Sequence, residues 1–356
     1  MFFRYDGSGG PNIEVEQCLP GVILANKEKY IEFLLQLADL GTSIKHLPLQ
    51  EASRALLRII PADKKTVERL RSICRENLDG KRAPQQIWES VFFSSSPSAT
   101  LYNLQICNCL LMPSSTAAMD KTFEFQINFV RARGVPAVNG MLTKNNFLAA
   151  ADLATKRAAH LIVLKMSKFL FSVAGYSLVH MVADACQPDS STSVTPATHN
   201  QAVVLQQAMH HVPNPSTEMM VRNFAQRVAP SLLGVGSAHM PDHATVSAII
   251  RLAWASASGN PALAAASTDE LDSRLKGDHP PPDEEDVAVC REALEVLTLA
   301  VALRPTSLDA LTKDKSWQSF VIGLVLYSRV KVIRCTAADQ FLLMATRCHA
   351  EQTPLR

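Results

Sequence analysis

The stretch RARGVPAVNGML, from Arg131 to Leu142, decides the fold. Gly134 can adopt the left-handed backbone conformation that ends a helix, and Pro136 has the φ angle that suits the first turn of the next one. An apolar stripe follows at helical spacing and consists of Val135, Val138, Met141 and Leu142. The sequence therefore predicts a tight corner between two helices at this point.

Helical periodicity extends outward from this corner in both directions. Before it, Pro61 is expected to end one helix and Asp63 to cap the next. One apolar stripe in this part is formed by Tyr30, Leu34, Leu37 and Ala38. After the corner, the pattern predicts helices over 152–185 (two helices meeting near Gly175), 200–210, 217–228, 242–257, 284–303, 313–327 and 330–348.

The segment from Phe123 to Phe129 is ambiguous because its apolar and polar residues alternate, which is typical of a half-buried strand. Phe123, Ile127 and Val130 also share one face of a helix. A lone strand between helices would have unpaired edges, so we predict a helix.

The helix pairs around the corner have only one another to pack against, and the corner is similar to the junction between the last two helices of an armadillo repeat. We predict an all-α fold, an armadillo/HEAT-like α-solenoid of degenerate helical repeats; the alternative is a non-repetitive helical bundle. The expected organisation is a flexible start (1–12), a helical-repeat segment (13–95), armadillo-like repeats (96–275) with a loop at 187–200, a Pro/acidic linker (276–286), further repeats (287–349) and a tail (350–356).

Composition narrows the class of protein. The chain has 356 residues, of which 47% are hydrophobic and 19% charged, as in folded proteins. Its net charge of +2 gives no field that would attract nucleic acid or an anionic membrane. The most apolar stretch, Leu161–Val173, contains two lysines, and Asp6 follows the first apolar residues too closely for a signal peptide. We predict a cytoplasmic protein with no nucleic-acid or membrane partner.

The cysteines and histidines do not form a recognisable reactive site. Eight cysteines are scattered singly among apolar residues, which predicts reduced core thiols rather than disulfides. Cys107 and Cys109 lie in an apolar helix, and no Gly-rich oxyanion loop accompanies a cysteine–histidine pair. His239 and His243 are separated by a helix start at Pro241. The sequence predicts no catalytic residue, no metal site and no cofactor.

One charged set is a candidate partner-binding surface. Lys156, Arg157, Lys165 and Lys168 interrupt an otherwise apolar helix. They form either a solvated outer face whose stems pack on neighbours, or a groove for an acidic protein partner. The acidic run from Asp283 to Asp286 is expected to start a helix, where negative charge is favourable, and it could also hold a partner.

Several blocks resemble the fat-facets-type ubiquitin-specific proteases, which are very large enzymes. The blocks are collinear from about residue 96 to 349, and the first 95 residues match more weakly. They read MLTKNNFL (141–148), ADACQP (183–188), NQAVVLQ (200–206), PNPS (213–216), EALEVLTL (292–299), LDAL (308–311) and QFLLMATRC (340–348). The resemblance implies the helical-repeat region that precedes the protease domain, which is a thiol-dependent deubiquitinase.

The nucleophile box of that family, a Gly-rich stretch ending in Thr-Cys-Tyr, does not occur in this sequence, nor does its histidine box. The resemblance therefore implies a non-catalytic scaffold that binds ubiquitinated substrates or adaptors, and the catalytic domain if the full chain contains one. The alternative is an independent armadillo-like adaptor without protease activity. A third hypothesis is a small hydrolase that uses one of the thiols.

Overall fold

The computed structural model describes residues 27–78, 82–113, 119–144, 147–187, 194–210, 219–227, 240–304 and 306–348. These residues form packed helices and, within the same ranges, no strand. The predicted all-α, armadillo/HEAT-like solenoid class is confirmed. The predicted flexible start (1–12) and tail (350–356) lie outside the described residues, as do 211–218.

The chain divides into two compact units, one comprising 1–137 with 146–162 and the other 138–145 with 163–356. The helices that begin in the first unit are α1 Glu28–Ser43, α2 Leu47–Ile59, α3 Lys64–Glu76, α4 Pro84–Phe92, α5 Pro97–Leu111, α6 Met119–Arg131, α7 Gly134–Thr143 and α8 Leu153–Ala185. Within this unit α5 is central, because it packs against α1, α3, α4 and α6.

The second unit continues with α9 Pro196–His210, α10 (219–227), α11 His243–Ala257, α12 Thr268–Lys276, α13 Glu284–Leu303, α14 Thr306–Thr312, α15 Lys315–Ile322 and α16 Lys331–Cys348. A 3-10 turn, Pro261–Ala265, follows α11, and a π turn, Gly323–Tyr327, follows α15. Helix α13 is the core of this unit. It packs against α9, α11 and α16, and residues 296–302 are buried without interruption.

Side-chain caps begin several helices where the sequence places them. Asp63 accepts hydrogen bonds from the backbone of Lys65 and Thr66 and so caps α3, as predicted. Ser96 caps α5 and Asp283 caps α13 in the same way. The alternating segment from Phe123 to Phe129 lies within α6, so the helical prediction for it is confirmed. These starts are local features, because the capping oxygen and the amide it accepts from are neighbours in sequence.

The corner between α6 and α7 forms as predicted, but Gly134 has a different role. Arg133 takes the left-handed conformation, with φ of 61°, while Gly134 is already the first residue of α7. A Cβ atom on Gly134 would lie 2.3 Å from the ring of Phe129. The glycine is therefore required by close packing, and the prediction that it ends α6 in a left-handed conformation is wrong.

Aromatic packing fixes this corner in the first unit. The ring of Trp88 lies 5.1 Å from that of Phe129 and 5.2 Å from that of Phe92, measured between centroids. The Trp88 indole N–H donates a hydrogen bond to the Ala132 carbonyl at 3.0 Å. All three rings are fully buried. A change in the position of Phe129 would therefore disturb the whole cluster.

Three other boundaries differ from the sequence prediction. Helix α8 is continuous for 33 residues rather than broken near Gly175. A Cβ on that glycine would lie 3.1 Å from Leu205, so Gly175 serves close contact with α9. The helix predicted over 313–327 ends at Ile322, and a π turn replaces its last turn. The predicted linker 276–286 is helical at both ends, which leaves 277–283 between α12 and α13.

Helix α8 is the one helix among the described residues that is long and apolar enough, by length and composition, to cross a membrane. In its most apolar window 56% of the residues are buried inside the protein. This burial is typical of a core helix, which passes the same test of length and composition.

We expect Gly134→Ala to destabilise the protein by about 1–3 kcal/mol, because the added methyl group overlaps the buried Phe129 ring. Gly140→Ala in the same helix is the matched control, since its nearest neighbour would be Lys144 Cε at 3.9 Å. That change should stabilise by about 0.5–1 kcal/mol. Urea unfolding followed by circular dichroism measures both; equal effects of the two changes would contradict this role of Gly134.

Candidate partner-binding surfaces

The basic residues predicted as a partner-binding surface are divided between the two units. Lys156 and Arg157 belong to the first unit, and Lys165 and Lys168 belong to the second. Lys156 and Arg157 are half-buried, and the Lys156 ammonium donates to the Ala149 carbonyl at 3.4 Å. The four residues do not form one exposed set.

Lys168 is buried, with 8% of its surface exposed. Its ammonium group pairs with Glu295 and lies 3.5 Å from a Glu292 oxygen, both on α13. The prediction that Lys168 contributes to a partner-binding surface is therefore wrong. The physical reason is that α8 lies in the core here, so its lysine must find a charged partner inside the protein.

The surroundings of Glu292 in this ion cluster have opposing effects on its pKa. Burial raises the pKa of Glu292, and the neighbouring Glu295 raises it further, while Lys168 and Lys165 lower it. The net pKa lies above the ordinary value of 4.5. Two glutamates one turn apart on an apolar helix were the sequence signal for this cluster, and it was visible in the block EALEVLTL.

We expect Lys168→Met to destabilise the protein by about 3–5 kcal/mol, because two largely buried carboxylates would lose the cation that pairs with them. The triple variant Lys168→Met, Glu292→Gln, Glu295→Gln removes all three charges and should recover most of this loss. Denaturant unfolding at neutral pH measures both variants. A Lys168→Met protein as stable as the parent would contradict the assigned ion cluster.

The same variant should show a defined pH dependence. The folded-state pKa of Glu292 is raised, and loss of Lys168 raises it further. A carboxyl group of this kind stabilises the folded state below its unfolded pKa, and that stabilisation is lost as pH rises through the folded pKa. The destabilisation by Lys168→Met should therefore shrink as pH is lowered towards 4.5, the ordinary value for this carboxyl.

A second polar cluster lies in the first unit at the start of α8. Asp152 caps the helix by accepting from the Thr155 amide at 3.0 Å, and it binds Arg54 at 3.0 Å and Gln50 at 2.8 Å. Burial alone would raise the pKa of Asp152, but the bonds from Thr155 and Arg54 outweigh it and lower the pKa to about 2. These bonds link the start of α8 to α2, while the buried Arg54 Nε has no hydrogen-bond partner among the described residues.

The thiols differ in accessibility. Cys74, Cys107 and Cys290 are buried, and burial raises the pKa of Cys74 and of Cys290 to about 12. Such thiols are protonated at neutral pH and are poor nucleophiles. Cys186 and Cys335 are exposed, so the prediction of core thiols is wrong for these two. Their exposure follows from their positions near the end of α8 and on the outer face of α16.

One small cleft in the first unit is a candidate site for a small ligand. A cleft of about 190 Å³ lies between α3 and α6, with Cys74 and Phe125 among its lining residues and charges of both signs around them. Small-molecule sites are typically larger, roughly 300–1,000 Å³. Over the described ranges, no group of three or more His, Cys, Asp or Glu side chains is placed to hold a metal ion.

Helices α1 and α2 carry apolar side chains that face solvent. Along α1 and at Ile44, which follows it, the exposed residues recur on one stripe, and on α2 Leu56 and Ile59 lie one turn apart. We call them the α1–α2 apolar residues; their exposed fractions run from 44% to 77%, and they are Phe33, Leu40, Ile44, Leu56 and Ile59. Exposed apolar groups of this kind are typical of protein interaction sites. No sequence motif distinguishes these residues, because an exposed apolar stripe on a helix has the same periodicity as a buried one.

The chain is similar in sequence to several ubiquitin carboxyl-terminal hydrolases. No family model matches it. Ubiquitin carboxyl-terminal hydrolase 9X of Mus musculus is 43% identical over 98% of this chain. Ubiquitin carboxyl-terminal hydrolase 9Y of Homo sapiens is 42% identical over 97%. The probable ubiquitin carboxyl-terminal hydrolase FAF of Drosophila melanogaster is 28% identical over 96%.

The chain is related to the fat-facets-type ubiquitin carboxyl-terminal hydrolases. The resemblance seen in the sequence blocks is thereby confirmed, and it extends through the first 95 residues. The chain spans 14% of the length of the relatives that it matches. Their hydrolase names describe whole proteins about seven times longer than the matched region.

Proposed function

We propose that this chain is a non-catalytic helical-repeat region of a ubiquitin-specific protease, which acts as a scaffold and binds substrates or adaptors in the cytoplasm. The observation that carries the proposal is the extent of the similarity. Nearly the whole chain aligns, yet it accounts for 14% of each hydrolase. Such a region would serve protein deubiquitination, and hence ubiquitin-dependent protein turnover, by positioning substrates for a catalytic domain located elsewhere in the protein.

The architecture supports a binding role. Stacked helical repeats present extended surfaces to protein partners. In the first unit, the α1–α2 apolar residues provide exposed surface that a partner could bury. Burial of one such side chain contributes about 1.5–3 kcal/mol, before the entropic cost of association is subtracted. These residues replace the buried Lys168 as the preferred contact positions; Lys156, Arg157 and Lys165 stay a prediction as peripheral positive charges.

An independent armadillo-like adaptor would use the same surfaces. The two hypotheses differ in whether a protease domain belongs to the same natural protein. Intact mass of the protein isolated from its natural source distinguishes them, because a hydrolase of the relatives' size would be about seven times heavier.

The non-catalytic assignment predicts the response to a ubiquitin-derived probe that carries a thiol-reactive group at its C terminus. We expect no covalent adduct with the 356-residue chain, because the catalytic centre that would bind ubiquitin and activate a thiol is assigned elsewhere in the protein. Mouse hydrolase 9X is the positive control, and mass spectrometry reads the result. Stoichiometric labelling of a single cysteine would contradict the proposal and support the third hypothesis, a thiol hydrolase.

The scaffold role is tested in a chimera in which this chain replaces the matching region of mouse hydrolase 9X. Leu40→Glu with Ile59→Glu should leave cleavage of a small ubiquitin C-terminal reporter unchanged. Release of ubiquitin from a ubiquitinated protein should slow by about tenfold or more, because two apolar contacts are lost. Met181→Glu, at another exposed apolar position, is the control. Equal loss of both activities, or no loss of either, would contradict the proposal.

A further inference from the structure

Helices α3 and α6 of the first unit form the two walls of the cleft of about 190 Å³. The wall on α3 carries Glu68, Arg71 and Arg75, which recur at helical spacing and so lie on one face of the helix. The wall on α6 carries Glu124 and Asn128, which lie one turn apart. Polar side chains from two helices therefore line the same space.

The floor of the cleft is apolar. It is formed by Cys74 and Phe125, which are almost fully buried, whereas the wall residues are exposed or half-buried. Burial raises the pKa of Cys74 to about 12, so its thiol is neutral at neutral pH and behaves as a small apolar group. The Phe125 ring packs against that of Phe129, with 5.9 Å between the centroids. A ligand would therefore meet a preformed apolar surface beneath the polar walls.

Two opposite charges in the cleft are unpaired. Glu68 pairs with Arg75, so these two side chains compensate each other. Arg71 is half-buried and Glu124 is exposed, and across the described parts of the chain neither side chain has a hydrogen-bond or ion-pair partner. The half-buried Asn128 carboxamide also has no partner there. The cleft thus offers one free cation on α3, and one free anion and a carboxamide on α6.

This arrangement selects a ligand that carries both charges. A purely anionic ligand would be repelled by Glu124, and a purely cationic one by Arg71. In a zwitterion, the carboxylate accepts hydrogen bonds from the guanidinium and the ammonium group donates to the carboxylate on the opposite wall. An apolar group on the same molecule covers the floor. An α-amino acid with an apolar side chain has these three parts, and its size suits a cleft with room for roughly six water molecules.

We propose that the cleft between α3 and α6 binds a free apolar α-amino acid, with the carboxylate of the ligand on Arg71 and its ammonium group on Glu124. The side chain of the ligand lies on Phe125 and Cys74. Asn128 supplies a further polar contact on the α6 wall. The site does not depend on the deubiquitinase scaffold role proposed above, so either proposal can fail alone.

Isothermal titration calorimetry of the purified 356-residue chain with L-leucine tests the proposal. We expect saturable binding. Leucinamide lacks the carboxylate, N-acetyl-leucine lacks the ammonium charge and glycine lacks the apolar side chain, so each should bind about tenfold more weakly. N-acetyl-leucinamide, which mimics a residue inside a peptide chain, lacks both charges and should bind more weakly than leucinamide or N-acetyl-leucine.

Two variants assign the charges of the ligand to the two walls. Arg71→Gln should weaken leucine binding about tenfold but should not weaken leucinamide binding, because that ligand has no carboxylate. Glu124→Gln should weaken leucine binding similarly but should not weaken binding of N-acetyl-leucine, which has no ammonium group. Circular dichroism should show unchanged helix content in both variants, since neither side chain has a partner among the described residues.

Lys64→Gln and Glu76→Gln are the matched controls, because each removes a charge from an exposed position of α3 outside the cleft. Both should bind leucine as the parent does. Absence of leucine binding, or equal effects of the control and the cleft variants, would overturn the proposal. Tighter binding of N-acetyl-leucinamide than of leucine would also overturn it, and would indicate a peptide as the ligand instead.

Discussion

The contact between the Phe129 ring and the backbone at Gly134 is the constraint on which the first unit depends. No side-chain atom fits between them, so the start of α7 approaches the last turns of α6 as closely as two segments can. That approach fixes the Phe129 ring against Trp88, and the Trp88 indole in turn binds the Ala132 carbonyl at the corner itself. The absence of a Cβ atom at Gly134 thus permits the close approach of the two helices, the aromatic packing and the hydrogen bond at the corner.

The second unit depends on a different kind of constraint. Its central helix, α13, is apolar on nearly every side, yet it carries Glu292 and Glu295 towards Lys168 of α8. A buried ion cluster contributes little net stability compared with apolar packing, but it strongly penalises alternative alignments of the two helices. We therefore interpret the cluster as a determinant of register between α8 and α13, while the surrounding apolar contacts supply the stability.

Much of the fold could be predicted from the sequence because the signals are local. Helical periodicity, the cap at Asp63 and the acidic start of α13 involve residues within one turn of each other. The roles of Gly134 and Gly175 could not be predicted, because they depend on the ring of Phe129 and on Leu205 of another helix. The burial of Lys168 could not be predicted either, because it depends on neighbours that are distant in sequence. A lysine on a helix is expected to be exposed until those neighbours are known. The exposure of the α1–α2 apolar residues could not be predicted either, because a periodic apolar stripe has the same sequence pattern whether or not another helix covers it.

The burial of Lys168 has a chemical consequence for a protein related to ubiquitin hydrolases. Ubiquitin is attached to proteins through lysine amines, and attachment requires a nucleophilic, accessible nitrogen. The Lys168 ammonium is enclosed by two carboxylates and shielded by α13. In the folded chain it is therefore closed to acylation, in contrast to exposed lysines such as Lys315 and Lys331. Modification of Lys168 would therefore require that the molecule had unfolded first. A modified Lys168 would show that this unfolding had taken place.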